Sequence, residues 1–145
     1  MPLFDARLEL RDQSLQLRHA IMEGNEAFGG GGKELGAAVS LAGSTSVVEF
    51  VDFVSNTQRG VGAGAVLASG SNASFSFARF DLNRNLGLGA GVLTASAGSR
   101  VVLLHSQFRG NSVENQMGIE KATEGKVSHY GPPVAGTVFR PYCMP

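Results

Sequence analysis

The chain has 145 residues, 12 basic and 12 acidic, with a formal net charge of zero and 43% hydrophobic content. That length supports one domain with one core, and the balanced charge gives no long-range field to hold nucleic acid or an anionic membrane. The lone Cys143 excludes an internal disulfide framework and fits no metal-site spacing, so the residues call for no metal and no cofactor.

From the N-terminus, Met1 to Leu10 lacks a basic segment followed by an apolar run. No secretory signal is expected, and no transmembrane segment, since no apolar span of about 18 residues occurs. The chain reads as a mature soluble protein or as a fragment of a longer one, with its compartment open. Residues 1–14 are expected to form an N-terminal cap or partial coil, with Leu8 and Leu10 inward and Arg7, Glu9 and Arg11 in water.

A repeat then organises the chain. Asn25, Asn56, Asn83 and Asn111 follow one another at intervals of 31, 27 and 28 residues. Three residues before each stands Met22, Phe53, Phe80 or Phe108. Six before stands His19, Phe50, Phe77 or His105, and eight before, Leu17, Val48, Phe75 or Leu103. The longer first interval coincides with the insertion Gly29–Gly32. A second element, Gly62-Ala-Gly-Ala-Val-Leu67, is matched by Gly89-Ala-Gly-Val-Leu-Thr94. Gly36-Ala-Ala-Val-Ser-Leu41 is a poorer copy and Met117-Gly-Ile119 a degraded one. Leu8-Glu-Leu10 echoes Val39-Ser-Leu41.

A period near 27 is too short for a propeller blade, and the copies lack the amphipathic segments of about 10–15 residues that helical repeats need. The β-branched and aromatic content of 46–54, 73–80 and 100–108 favours strands. The expected fold is therefore all-β: a right-handed parallel β-helix (solenoid) of four to five coils over residues 1–127, with 128–145 an extended, proline-rich tail. Stacked coils place like residues in ladders about 4.8 Å apart. The phenylalanines of both rows are expected inside. The asparagines are expected at a turn, where they tolerate the left-handed conformation and bond amide to amide. The register carries its own check. It sets Arg18 over Glu49, Asp52 over Arg79 and Asp81 over Arg109, three opposite-charge pairs on neighbouring coils.

Phe53-Val-Ser-Asn56, Phe80-Asp-Leu-Asn83 and Phe108-Arg-Gly-Asn111, with the Gly-Ala-Gly elements after the first two, resemble the Phe-x-x-Asn and Gly-Gly-Ala-Ile repeats of the chlamydial polymorphic outer-membrane proteins. The resemblance covers roughly residues 15–127 and implies a β-helical passenger-type fold. It departs from the family in reading Gly-Ala-Gly for Gly-Gly-Ala, in Met22 for phenylalanine, and in having no membrane barrel after the repeats.

Chemistry is sparse along the chain. Only Asp5, Asp12, Asp52 and Asp81 are aspartates, and the register gives Asp52 and Asp81 each an arginine rather than each other, so no carboxylate pair for glycoside chemistry is expected. His19 and His105 close the two ends of the Phe50/Phe77 ladder, about 14 Å apart at the coil spacing and too far to share a metal. Gly29-Gly-Gly-Gly-Lys33 lacks the spacing of a phosphate loop and reads as an inserted loop. No catalytic, cofactor or metal residue is assigned.

The remaining candidates are the ends. Four prolines exclude the stretch after Tyr130 from a central strand, yet Val134, Val138, Phe139, Tyr142 and Met144 make it too apolar for a solvated tail. Tyr130, Phe139 and Tyr142 are the candidate partner-binding residues, unless the tail folds back over the last coil. The expected function is a non-catalytic structural or protein-interaction module docked among other protein subunits of a larger assembly. A fragment of a surface adhesin or autotransporter-like passenger is the alternative, and a carbohydrate-active β-helix enzyme the third reading. With Phe77 read as an internal rung, Phe77→Ala is expected to cost about 3–5 kcal/mol in a denaturation experiment.

Overall fold

A computed structural model of the chain describes residues 3–4, 8–28, 34–114, 120–123 and 126–130. The strands fall into coils. A leading strand β1 (Leu3–Phe4) precedes β2 (Leu8–Arg11), β3 (Ser14–Glu23) and β4 (Glu26–Ala27). The next coil holds β5 (Leu35–Gly36), β6 (Val39–Ala42), β7 (Thr45–Val54) and β8 (Thr57–Gln58). The third holds β9 (Val61–Ala63), β10 (Val66–Ser69), β11 (Asn72–Ser76), β12 (Arg79–Asp81) and β13 (Arg84–Asn85). The fourth repeats it with β14 (Leu88–Ala90), β15 (Leu93–Ser96), β16 (Arg100–Leu104), β17 (Gln107–Arg109) and β18 (Ser112–Val113). Finally, β19 (Glu120–Thr123) and β20 (Lys126–Tyr130) open a further turn.

Each strand pairs in parallel with its counterpart one coil away, so the chain is an all-β parallel solenoid of about four turns. The long sheet runs β1-β3-β7-β11-β16-β20 and continues through β12 and β17. A second sheet runs β2-β6-β10-β15-β19, and two small ones run β4-β8-β13-β18 and β5-β9-β14. The register is the one the asparagines predict: Met22 faces Phe53, Phe53 faces Phe80, and Phe80 faces Phe108. The Leu8-Glu-Leu10 echo is a true coil, Leu8 opposite Val39 and Leu10 opposite Leu41.

Like residues stack inside. The rings of Phe53 and Phe80 lie 4.9 Å apart and those of Phe80 and Phe108 4.6 Å apart, nearly parallel in both cases. Phe75 is buried against the same stack, tilted, at 6.0 Å from Phe53 and 5.8 Å from Phe80. Across from this stack, β6, β10 and β15 contribute Val39, Leu41, Val66, Ala68, Leu93 and Ala95 to the core.

The corners determine which residues reach that core. Three rows of residues have φ between 49° and 67°: Asp12/Gly43/Gly70/Ala97, His19/Phe50/Phe77/His105, and Gly24/Ser55/Leu82/Gly110. A single left-handed residue turns the strand while its N–H still bonds the next coil, as from Phe77 to Leu104 O and from Leu82 to Arg109 O. It also interrupts the two-residue alternation of side chains. Along β7, Val48 points in, Glu49 and Phe50 both lie outward, and Val51 points in again.

Two expectations change as a result. Phe50 and Phe77 form a ladder, but on the outside: they are 46% and 49% exposed. Counting alternate residues inward from Val48 or Phe75 places them in the core, and the corner shifts the count by one. The left-handed residue at the other corner is also not asparagine. It is the residue before it, Gly24, Ser55, Leu82 or Gly110.

Glycine's freedom matters most at Gly62 and Gly89, with φ of 143° and 124°. There a side chain would collide with the Leu35 and Gly62 carbonyl oxygens of the coil beneath. The poorer copy at 36–41 is offset by one residue from its apparent alignment, because Leu35, not Gly36, sits opposite Gly62. An extra residue in the fourth coil is absorbed by consecutive positive-φ residues, Ala97 and Gly98. The insertion at Gly29–Lys33, the copy at Met117–Ile119 and the tail from Gly131 lie outside the described residues. The boundary expected at 127/128 falls inside a strand, since β20 continues to Tyr130, which lies opposite Leu104.

Phe77→Ala is therefore expected to cost only about 1 kcal/mol, the loss of exposed stacking, while Phe80→Ala costs about 3–5 kcal/mol through a core cavity. Urea denaturation of the two variants side by side checks this; equal losses would place Phe77 back inside.

Candidate functional site

The most elaborate chemistry in the molecule is internal. Each asparagine amide sits just past the corner, where the chain leaves the long sheet for the small one. Asn25 Nδ2 donates to Asn56 Oδ1 at 2.9 Å, Asn56 Nδ2 to Asn83 Oδ1 at 2.9 Å, and Asn83 Nδ2 to Asn111 Oδ1 at 3.0 Å. The second Nδ2 hydrogen goes back one coil: from Asn56 to Met22 O, from Asn83 to Phe53 O, and from Asn111 to Phe80 O, at 2.7–2.9 Å. Oδ1 of Asn56, Asn83 and Asn111 also accepts the backbone N–H of the preceding asparagine, at 2.8–3.1 Å. The amides of Asn56 and Asn83 thus make four bonds each, which is why they can be fully buried.

Two smaller polar rows escaped the sequence reading. Ser44 N–H donates to Ser71 Oγ and Ser71 N–H to Ser99 Oγ, both at 3.0 Å. Between the small sheets, Gln58 Nε2 donates to Leu35 O and Asn85 Nδ2 to Gly62 O and Ala90 O. The serine row is the same from coil to coil, at spacings of 27 and 28 residues, and is there to be found by comparing coils. The second row mixes residue types, Gln58 opposite Asn85 and Ala27, so comparing coils for identity does not find it.

On the surface the three expected ion pairs form. Arg18 Nε lies 2.7 Å from Glu49 Oε2, Arg79 Nε 3.5 Å from Asp52 Oδ1, and Arg109 Nη2 3.5 Å from Asp81 Oδ2. Arg79 also reaches Asp81, at 3.3 Å, so Asp52, Arg79, Asp81 and Arg109 form one chain of alternating charge. Asp52 and Asp81 are both engaged by arginine, an arrangement that orients the charges and adds little stability at the surface. A fourth pair, Arg59 with Glu26 at 3.1 Å, bridges two coils on the small sheet.

The outer aromatic ladder has histidines at its ends, as the repeat predicts. His19, Phe50, Phe77 and His105 stack with centroids 5.0, 5.1 and 5.1 Å apart. Phe50 and Phe77 are covered on both faces, leaving their edges exposed, so neither offers an open ring face on which a sugar could stack.

One concavity went unforeseen. The outer face of the second sheet bears a groove of about 460 Å³, lined by Glu9, Arg11, Glu34, Ser40, Ser69 and Ser96 among others. Leu67 lies at its floor, an outward position yet only 6% exposed. The signal was the run of small and hydroxyl side chains at alternate positions of β6, β10 and β15, which leaves the face recessed.

Among the described residues no three His, Cys, Asp or Glu side chains come together as metal ligands, and no helix is long and apolar enough to cross a membrane. Of the candidate partner-binding residues, Tyr130 is the exposed last residue of β20, whereas Phe139 and Tyr142 lie outside the described residues. No protein-family model, curated protein or solved structure matches the chain.

Replacing Asn83 by Ala removes its four side-chain bonds and leaves the Asn56 N–H and one hydrogen of the Asn56 amide buried without acceptors. The expected loss is about 3 kcal/mol in urea denaturation. Asn83→Asp is expected to do no better, since a carboxylate cannot donate to Phe53 O or Asn111. A variant as stable as the parent would show the ladder to be energetically idle.

Proposed function

We propose that the chain is a non-catalytic structural and protein-interaction module, a rigid β-solenoid block docked among the subunits of a larger assembly. The supporting observation is the contrast between interior and ends. Along the body the asparagine amides are committed to one another, Glu49, Asp52 and Asp81 to guanidinium groups, and Phe50 and Phe77 to ring faces. At both ends the sheets stop at strands that, among the described residues, carry no further strand on their outer edge: β2, β4 and β5 at one end, β14, β17, β18, β19 and β20 at the other. Unpaired parallel edges are surfaces that bind extended chain.

Partners on this reading are other protein subunits, engaged through the solenoid ends and through the tail residues Tyr130, Phe139 and Tyr142. A second reading, a piece of a surface adhesin or autotransporter-like passenger similar to the polymorphic outer-membrane proteins, is supported by the Phe-x-x-Asn repeat, whose asparagines and phenylalanines build two stacked ladders. Neighbouring coding sequence separates the two: an upstream signal peptide or a downstream barrel favours the passenger.

Crosslinking in the native source is expected to recover a protein partner at fixed stoichiometry, with yield reduced by Phe139→Ala combined with Tyr142→Ala. Turnover of an acidic polysaccharide that disappears in both Asp52→Ala and Asp81→Ala would instead make the chain an enzyme and overturn the proposal.

A further inference from the structure

We infer that one occupant of the solenoid ends is a second copy of this chain, stacked head to tail. The inference deepens the module reading above and rests on it. Three observations carry it.

The first is direction. Every strand pairing between coils is parallel, so the edge at one end runs in the same sense as the edge at the other. A copy placed on end continues each sheet with the same parallel pairing that joins the coils, whereas a copy placed face to face would pair the edges antiparallel and break that pattern.

The second is shape. At the N-terminal end β1 covers only the Ile21–Met22 rows of the long sheet, and the outer edge of Ser14–Ala20 carries no further strand among the described residues. At the C-terminal end β20 covers the Arg100–Leu104 rows, and β17 bears no further strand among the described residues. One step is the complement of the other. Set head to tail, β1 of a copy lies on β17, and β20 lies on the Ser14–Arg18 rows of the copy's β3. The chain's own continuation is a poor substitute. If it ran on in register from Tyr130, Pro132 and Pro133 would fall beside Ser106 and Gln107 with no N–H to donate.

The third is charge. Through Arg59 the chain carries eight acidic residues against five basic ones; from Gly60 on it carries four against seven. The molecule is neutral overall but acidic toward its first coils and basic toward its last. Unlike ends attract and like ends repel, which favours head-to-tail contact over a symmetric dimer. The second sheet supplies a specific pair: Glu9 on β2 and Lys121 on β19 occupy the same row, through Ser40, Leu67 and Thr94. Stacking brings Lys121 of one copy beside Glu9 of the next.

Sedimentation velocity on the 145-residue chain, across protein concentration and at low and high salt, tests this. The average mass is expected to rise with concentration past the dimer and to fall with salt. Glu9→Lys and Lys121→Glu should each lower the association constant about fivefold, and the double reversal should restore it, with circular dichroism confirming that each variant is folded. A mass that stays at the monomer or plateaus at the dimer overturns the inference, as does a double reversal that fails to rescue. A strict monomer that still captures a different protein would end self-stacking and leave the module reading in place; a chain that does neither would end both.

Discussion

The buried asparagine ladder is the constraint on which the rest of the fold depends. An amide in an apolar interior costs several kcal/mol unless its donors and acceptor are all met, and here they are met only when the coils stack in one register. A slip of one residue would strand Asn56 and Asn83 and at the same time turn the phenylalanine stack out of the core. Because Asn56 Nδ2 bonds both the next asparagine and the Met22 carbonyl, the amide ties three coils together. The hydrophobic stack beside it supplies most of the driving force, and the amides make the arrangement unique.

Much of this was legible in the sequence, and the reason is physical. A solenoid repeats its environment once per coil, so equivalent positions carry equivalent side chains, and four asparagines with an apolar residue three before each suffice to set the register. The charge pairs at Arg18–Glu49, Arg79–Asp52 and Arg109–Asp81 then test it independently. Periodicity along the chain gave no warning of the corners. Phe75 and Phe77 differ by two residues and look alike, yet one is fully buried and the other half exposed, because a left-handed residue resets the alternation between them. A bulky aromatic is a poor sequence signal for positive φ, and at this corner stacking on its neighbours offsets the backbone strain.

The surface features were less legible. Gln58 and Asn85 do their work through backbone groups, which either amide side chain can reach, so identity drifts from coil to coil, whereas Ser44, Ser71 and Ser99 keep theirs but are lost among the many serines of the chain. The groove on the second sheet is written in the smallness of Ser40, Ala42, Ser69 and Ser96, a pattern that in a sequence looks like nothing more than a strand's solvent face. The axial separation of charge is invisible in the overall composition, where acidic and basic residues cancel, and emerges only when the chain is divided by coil.

The asparagine ladder has a further property. Each amide-to-amide bond in it runs from an Nδ2 donor to the Oδ1 of the asparagine one coil nearer the C-terminus, so the amide dipoles add along the axis instead of cancelling as they do between antiparallel strands. Each polarises the next, making an interior bond stronger than one at either terminus. The solenoid therefore possesses an electrical sense of direction in its core, parallel to its axis and inaccessible to salt, in addition to the screened charges on its surface.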